Sequence, residues 1–190
     1  MNKDLLRDNY LIVRNFISIE QAKTLAKGFL DENKRKSFDN DTQVINSLRC
    51  GNSPKGLDVL CYESLKVTKL VETCVLPTYT FTRIYKKGNE LVEHTDREAC
   101  EISVTVHLDG DNPWSFWIKT PEGKPVGVDL QSGDAMIYLG CIAPHWRNTY
   151  TGNTYVQMFL HYIKSGGKYH GNYFDRKDYL IKTLKDKNIL

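Results

Sequence analysis

From Thr78 onward the chain reads as a run of short strands broken by turn residues, and no other feature narrows its fold as much. "TYTFTRIY" alternates, "EISVTVHL" sets Ile102, Val104 and Val106 on one face and Ser103 and Thr105 on the other, and "PWSFWIK", "VGVDL", "DAMIYLG" and "TYVQMFLHYI" follow. Between them stand "KKGN", "DGDNP", "PEGKP", "QSGD" and "YTGN", which supply the Gly, Pro, Asn and Asp that tight turns use. Many short antiparallel strands leave unpaired edges, and the usual remedy is to curl the sheet into a barrel or pair it into a sandwich.

Ahead of the strands lie helices to cover one side. "NYLIVRNF" predicts a strand, and "SIEQAKTLAKGFLDENK" a helix opened by Ser18 with Gln21 at capping-box spacing. Ala22, Leu25, Ala26, Phe29 and Leu30 then repeat at helical spacing, so one face packs on something. Residues 35–55 are polar and predict an irregular loop, and "ESLKVTKLVETCV" predicts a second helix ended by Pro77. The expected fold is mainly β with flanking α, in a single domain: 1–77 an N-terminal strand and supporting helices, 78–163 the β core, 164–190 a C-terminal extension.

Composition removes several classes of function. Hydrophobic residues at 41% and charged residues at 26% exclude a disordered chain. A net charge of +3 is too small to argue for nucleic acid, and the basic stretch Lys164 to Lys187 is interrupted by Asp175, Asp178 and Asp186, as a solvated surface is. No apolar run reaches the roughly 18 residues of a membrane span, and the start has no apolar core of a secretory signal. Cys50, Cys61, Cys74, Cys100 and Cys141 are odd in number and form no C-x-x-C pair, which fits reduced thiols in a cytoplasm. Cys100 and Cys141 are expected as small buried apolar residues.

One short segment carries chemistry. In "LVEHTDREACE", His94 and Asp96 stand two apart, so a regular strand would turn both to one side. Two ligands need a third, and among His107, His145, His161 and His170 the best placed is His145, at the start of a new strand after "SGDAMIYLGCIAP". His107 and His161 fit structural roles. Two imidazoles and a carboxylate on one face of a metal leave other positions open, as non-haem iron(II) sites require; zinc accepts similar donors, but no H-E-x-x-H helix is present.

With these residues in view the sequence resembles the 2-oxoglutarate- and iron(II)-dependent oxygenases, and within them the small prolyl 4-hydroxylase-like group. "RIYKKGNELVEHTD" is similar to that group's tyrosine, glycine and H-x-D pair, and "QSGDAMIYLGCIAPHW" to its Gly-Asp turn, apolar strand and distal histidine. The resemblance implies a double-stranded β-helix, or jelly roll, with N-terminal helices packed on one side. It implies Fe(2+) held by His94, Asp96 and His145, with 2-oxoglutarate and O2 as cosubstrates and Tyr85 lining the cosubstrate pocket. Each turnover would convert 2-oxoglutarate to succinate and carbon dioxide while hydroxylating a C–H bond, on a prolyl or other amino-acid side chain of a peptide, protein or small amino-acid-like substrate.

The sequence departs from that pattern at one place. The group carries a lysine or arginine on the strand after the distal histidine to meet the far carboxylate of 2-oxoglutarate, where this chain offers Thr154 and Tyr155. A buried dicarboxylate still needs a cation. Arg147, two residues after His145, is the first candidate and Arg83, two before Tyr85, the second. Trp114, Phe116 and Trp117 are expected in core or rim packing. Arg97 and Glu101 either pair with each other or leave Arg97 to face substrate. Competing functions are oxidative demethylation of nucleic-acid bases, disfavoured by scattered basic residues, and a non-catalytic cupin-like metal-binding module, disfavoured by the intact ligand set.

Overall fold

The alternation after Thr78 resolves into two antiparallel sheets in a computed structural model that describes residues 1–188. The elements in chain order are α1 (Lys3–Asp8), β1 (Tyr10–Val13), α2 (Ile19–Lys36), β2 (Asp39–Asn40), β3 (Leu48–Gly51), α3 (Pro54–Tyr62), α4 (Ser64–Val71), β4 (Val75–Lys86), β5 (Leu91–His94), β6 (Ile102–Gly110), β7 (Phe116–Lys119), β8 (Pro125–Val128), β9 (Ala135–Tyr138), β10 (His145–Arg147), β11 (Thr154–Lys164) and α5 (Asp178–Asp186). The seven-stranded sheet runs β1-β9-β6-β11-β4-β3-β2, and the four-stranded sheet β5-β10-β7-β8. This is the expected jelly roll with helices on one side.

Strand β11 shows how the layers form. Val156, Met158, Leu160 and Tyr162 belong to the core shared with the helices, while Gln157, Phe159 and His161 alternate with them and are also buried. A central strand covered on both faces is apolar on the helix side and can hold polar groups on the side facing the second sheet. On β6, likewise, Ser103 and Thr105 are fully buried rather than exposed. Their polarity serves the barrel interior.

Helix α2 is capped as the sequence predicts: the Ser18 side chain accepts from the Gln21 N–H at 3.0 Å, a contact worth about 1 kcal/mol. Its Ala22, Ala26 and Phe29 are buried against the large sheet, with Leu25 and Leu30 partly buried beside them. Truncating Phe29 to alanine should cost about 3–5 kcal/mol.

Three expectations need correction. Residues 35–55 are not an irregular loop: β2 and β3 pair as a hairpin, β3 joins the edge of β4, and α3 starts at Pro54 behind the Ser53 cap. Pro77 does not end a helix, since α4 stops at Val71 with Glu72 in the left-handed region at φ 52°. Pro77 lies within β4, opposite Tyr162, at a register shift where a missing N–H is tolerated. The strands before residue 78 are also part of the main sheet, with β1 at one edge and β2 at the other. Among the described residues no helix is long and apolar enough to cross a membrane.

Candidate metal centre

His94 closes β5 and stands directly opposite His145, the first residue of β10, with ring centroids 4.4 Å apart. Asp96 lies beyond the end of β5, so strand pleat does not orient it as the spacing predicted. Its N–H donates to the Gly140 carbonyl at 2.8 Å, and its Oδ2 accepts from Ser103 Oγ at 3.2 Å. The result brings all three predicted ligands together, their donor atoms within 4.8 Å of one another.

The orientation of the two imidazoles decides what the cluster can hold. His94 Nδ1 is 2.8 Å from the Val92 carbonyl and His145 Nδ1 is 2.8 Å from the Ala143 carbonyl. Because a carbonyl only accepts, each Nδ1 must carry the hydrogen, and each neutral ring turns an Nε2 lone pair the other way. Both Nε2 atoms lie 3.6 Å from the same Asp96 oxygen, Oδ1. Two lone pairs and an anion converging on one point fit a divalent cation of borderline hardness.

Electrostatics agrees with this. Burial alone would raise the Asp96 carboxyl, but when His145 and His94 carry a second proton, on the Nε2 that faces it, they outweigh burial and hold the group well below the usual carboxylate range. Burial lowers His94 while Asp96 raises it, with a net upward shift. Proton and metal therefore compete for the same lone pair.

The cluster opens into a cavity of about 70 Å³ whose wall includes Gln43, Arg83, Phe116, Tyr138, Phe159 and His161. Outside it lies a groove of about 470 Å³, which shares Gln43, Tyr79, Phe81 and Arg83 with the cavity and adds Arg49, Arg97 and Asp175 among others. Gln43 was hidden in the supposed loop. Its side-chain nitrogen lies 3.0 Å from His94 Nε2, and its oxygen accepts from Arg83 Nη2 at 2.9 Å. No periodicity marks such a residue, because the β2-β3 hairpin delivers it. His161, expected to be structural, is fully buried beside Asp96 with Nδ1 2.9 Å from Ser103 Oγ, and burial pushes it down to about 4.

The two candidate arginines differ in their partners. Arg83 donates to Asp41 at 2.7 Å and to the Tyr85 hydroxyl at 3.0 Å, so its charge is already paired. Arg147 is 1% exposed and donates to the Trp114 carbonyl and to Gln157 Oε1 at 3.1 Å, with its guanidinium over the Trp114 and Tyr155 rings. Among the described residues no carboxylate lies within ion-pair distance of it. The strand between His145 and Arg147 carries a register shift, so Arg147 pairs opposite Leu91. Tyr85 is fully buried opposite Tyr155, which with Thr154 stands where the resemblance leads one to expect a cation.

The remaining predicted residues fall as follows. Trp114 packs on Tyr85 at 4.8 Å, Phe116 stacks on His145 at 5.4 Å and Trp117 on Trp146 at 5.8 Å, so packing prevails. Arg97 and Glu101 do not pair with each other. Arg97 forms a bidentate contact with Asp175 at 2.7 and 2.9 Å, and Glu101 holds Lys164 at 2.9 Å. Cys100 is buried as expected but is hydrogen-bonded to Tyr79, and Cys141 is only partly buried. The "SGD" turn is an anchor for β1 and not part of the centre: Asp134 accepts from Arg14 at 2.6 Å and from the Asn15 N–H at 3.0 Å.

Solved structures share this architecture. A prolyl-4-hydroxylase from Pseudomonas putida is 13% identical with TM-score 0.69, over 86% of this chain and 96% of that one. A prolyl hydroxylase from Trichoplax adhaerens, in complex with a hypoxia inducible factor peptide fragment, is 14% identical with TM-score 0.68, over 84% and 86%. HygX from Streptomyces hygroscopicus, with nickel and 2-oxoglutarate bound, is 12% identical with TM-score 0.68, over 87% and 88%. At these identities the likeness is one of fold. No protein-family model and no curated protein matches the sequence.

Proposed function

We propose that the chain is a single-domain iron(II)- and 2-oxoglutarate-dependent oxygenase that hydroxylates a C–H bond, with His94, Asp96 and His145 as metal ligands. The observation that carries this reading is the convergence of the two Nε2 lone pairs on Asp96 Oδ1, at 3.6 Å each, inside a fold shared with prolyl hydroxylases. Iron(II) with O2 and 2-oxoglutarate supplies the oxidising power for C–H hydroxylation, leaving succinate and carbon dioxide. The backbone carbonyls of Val92 and Ala143 keep both rings in the ligating tautomer. Asp96 contributes the single anionic ligand, and Phe116 and Phe159 line the cavity with apolar surface that limits water.

Arg147 is assigned to the far carboxylate of 2-oxoglutarate. A buried guanidinium with only neutral partners is short of an anion, and an unpaired buried charge costs several kcal/mol. The side chain approaches the Tyr155 ring from the four-stranded sheet, so the cation reaches from β10 the level at which β11 lacks it. One observation favours Arg83 instead: it lines the same cavity as the ligands. Tyr85, hydrogen-bonded to Arg83, would complete either arrangement.

The substrate proposed is a prolyl or other amino-acid side chain, in a peptide or free. The outer groove mixes Asp39, Asp41 and Asp175 with Arg49, Arg97 and Lys177, a pattern suited to a polar substrate of mixed charge. A nucleic-acid demethylase needs a coherent basic path for the phosphates. A cytoplasmic setting agrees with the free state of all five cysteines. The test is an uncoupled assay with iron(II), 2-oxoglutarate and O2. Succinate release is expected and separates an enzyme from a cupin-like binding module; product masses from peptide and oligonucleotide libraries then separate the two enzyme readings.

A further inference from the structure

Tyr79, in the wall shared by the ligand cavity and the outer groove, has its hydroxyl against a buried thiol. Its ring stacks on His161 at 4.4 Å between centroids and carries the Arg97 guanidinium 4.4 Å from its centroid. Its hydroxyl and Cys100 Sγ are hydrogen-bonded at 3.1 Å. The preceding residue fixes this approach: Thr78 Oγ donates to the Ala99 carbonyl at 2.7 Å, tying β4 to the 3-10 turn Glu98–Cys100. The sulfur is thereby held beside the oxygen-bearing edge of the ring, where the carbon ortho to the hydroxyl is the electron-rich position.

The pair also sits within reach of the oxidising centre. Cys100 Sγ, an Asp96 carboxylate oxygen and a His161 ring nitrogen lie within 4.8 Å of one another, and Tyr79 lines the cavity that holds His94, Asp96 and His145. Cys100 is 1% exposed, so bulk oxidants and external thiols have little access to it. A site that makes a strong oxidant and runs without substrate will oxidise what lies against its wall.

We propose that Cys100 and Tyr79 are joined by a thioether between Sγ and the ring carbon ortho to the hydroxyl, formed by the protein on itself at its metal centre. The step rests on the oxygenase reading for its oxidant. One S–H and one ring C–H bond are lost and one S–C bond forms. The two hydrogens, with their electrons, reduce one atom of O2 to water, while the other oxygen atom enters succinate as 2-oxoglutarate loses carbon dioxide. The product fixes Tyr79 in the wall of the cavity and removes a thiol from beside Asp96.

The experiment uses the full chain purified without oxygen, then exposed to iron(II), 2-oxoglutarate and O2 with no other substrate. Succinate is measured, and the protein is denatured, reduced, alkylated and mapped by mass spectrometry. The expected result is loss of two hydrogens from the intact mass, a peptide pair joining Cys100 to Tyr79 that survives reduction, and a matching loss of Cys100 alkylation. Tyr79→Phe and Cys100→Ser should each abolish the joined pair, as should manganese(II) in place of iron. Succinate released while Cys100 alkylates fully overturns the cross-link and leaves the oxygenase reading standing, and so does oxygen added to Tyr79 with the thiol free. A joined pair without succinate overturns the step as written, in which 2-oxoglutarate is consumed, together with the 2-oxoglutarate reading; absence of both likewise overturns both.

Discussion

Gly140 and Asp96 are in such close approach that a Cβ on the glycine would stand 2.6 Å from Asp96 Oδ2 and also collide with the Cys100 carbonyl. The glycine matters here for space, since Asp96 reaches the two histidines only because the backbone beside it has no side chain.

Gly140→Ala should therefore displace the Asp96 carboxylate and weaken metal binding about 10- to 100-fold, the range for a disturbed support of a ligand. Anaerobic titration calorimetry with manganese(II) checks it. Equal affinity in the variant and the parent would mean that Asp96 does not depend on this approach.

Arg147→Leu should raise the apparent KM for 2-oxoglutarate at least about tenfold while sparing metal affinity, because losing a buried charge-assisted contact is worth roughly 2–5 kcal/mol. Steady-state succinate assays on Arg147→Leu and Arg83→Leu separate the candidates. An unchanged KM in the first and a large rise in the second would move the clamp to Arg83, whose pairing with Asp41 would then have to yield to the cosubstrate.

How far the sequence discloses this centre depends on how each residue is delivered. His94, Asp96 and His145 stand out because their side-chain types are those of metal ligands and they border strands whose alternation is plain. The hairpin of β2 and β3 escapes notice because β2 has two residues and β3 only four, too few for the alternation of β3 to stand out in a polar stretch. Its contributions, Asp41 and Gln43, are set by pairing with β4 and could not be placed from local pattern. Pro77 misleads for a related reason: proline argues against a strand interior, yet a register shift admits it. Helix α3 did leave a trace, since Ser53 followed by Pro54 is an N-cap with proline in the first turn.

Burial pushes His107 down to about 4, helped by the nearby Arg147 charge, and this gives the fold an acid limit. With an unfolded value near 6.5, the unfolded chain binds more protons than the folded one between the two values. Stability is then fully present above about pH 6.5 and is lost as pH falls toward 4, by about 3 kcal/mol for this residue. Urea unfolding across that window should show the decline, and His107→Gln should make it shallower, leaving the share of His161, which burial also pushes down to about 4. A slope unaltered by the substitution would assign the acid sensitivity elsewhere.

Metal stoichiometry tests the ligand assignment most directly. Anaerobic titration of the full chain with iron(II) should give one ion per chain, and Asp96→Ala, which removes the only anionic ligand, should abolish both stoichiometric binding and succinate release. Manganese(II) should occupy the same site without supporting succinate release. Full iron affinity together with undiminished succinate production in Asp96→Ala would contradict a centre built on His94, Asp96 and His145.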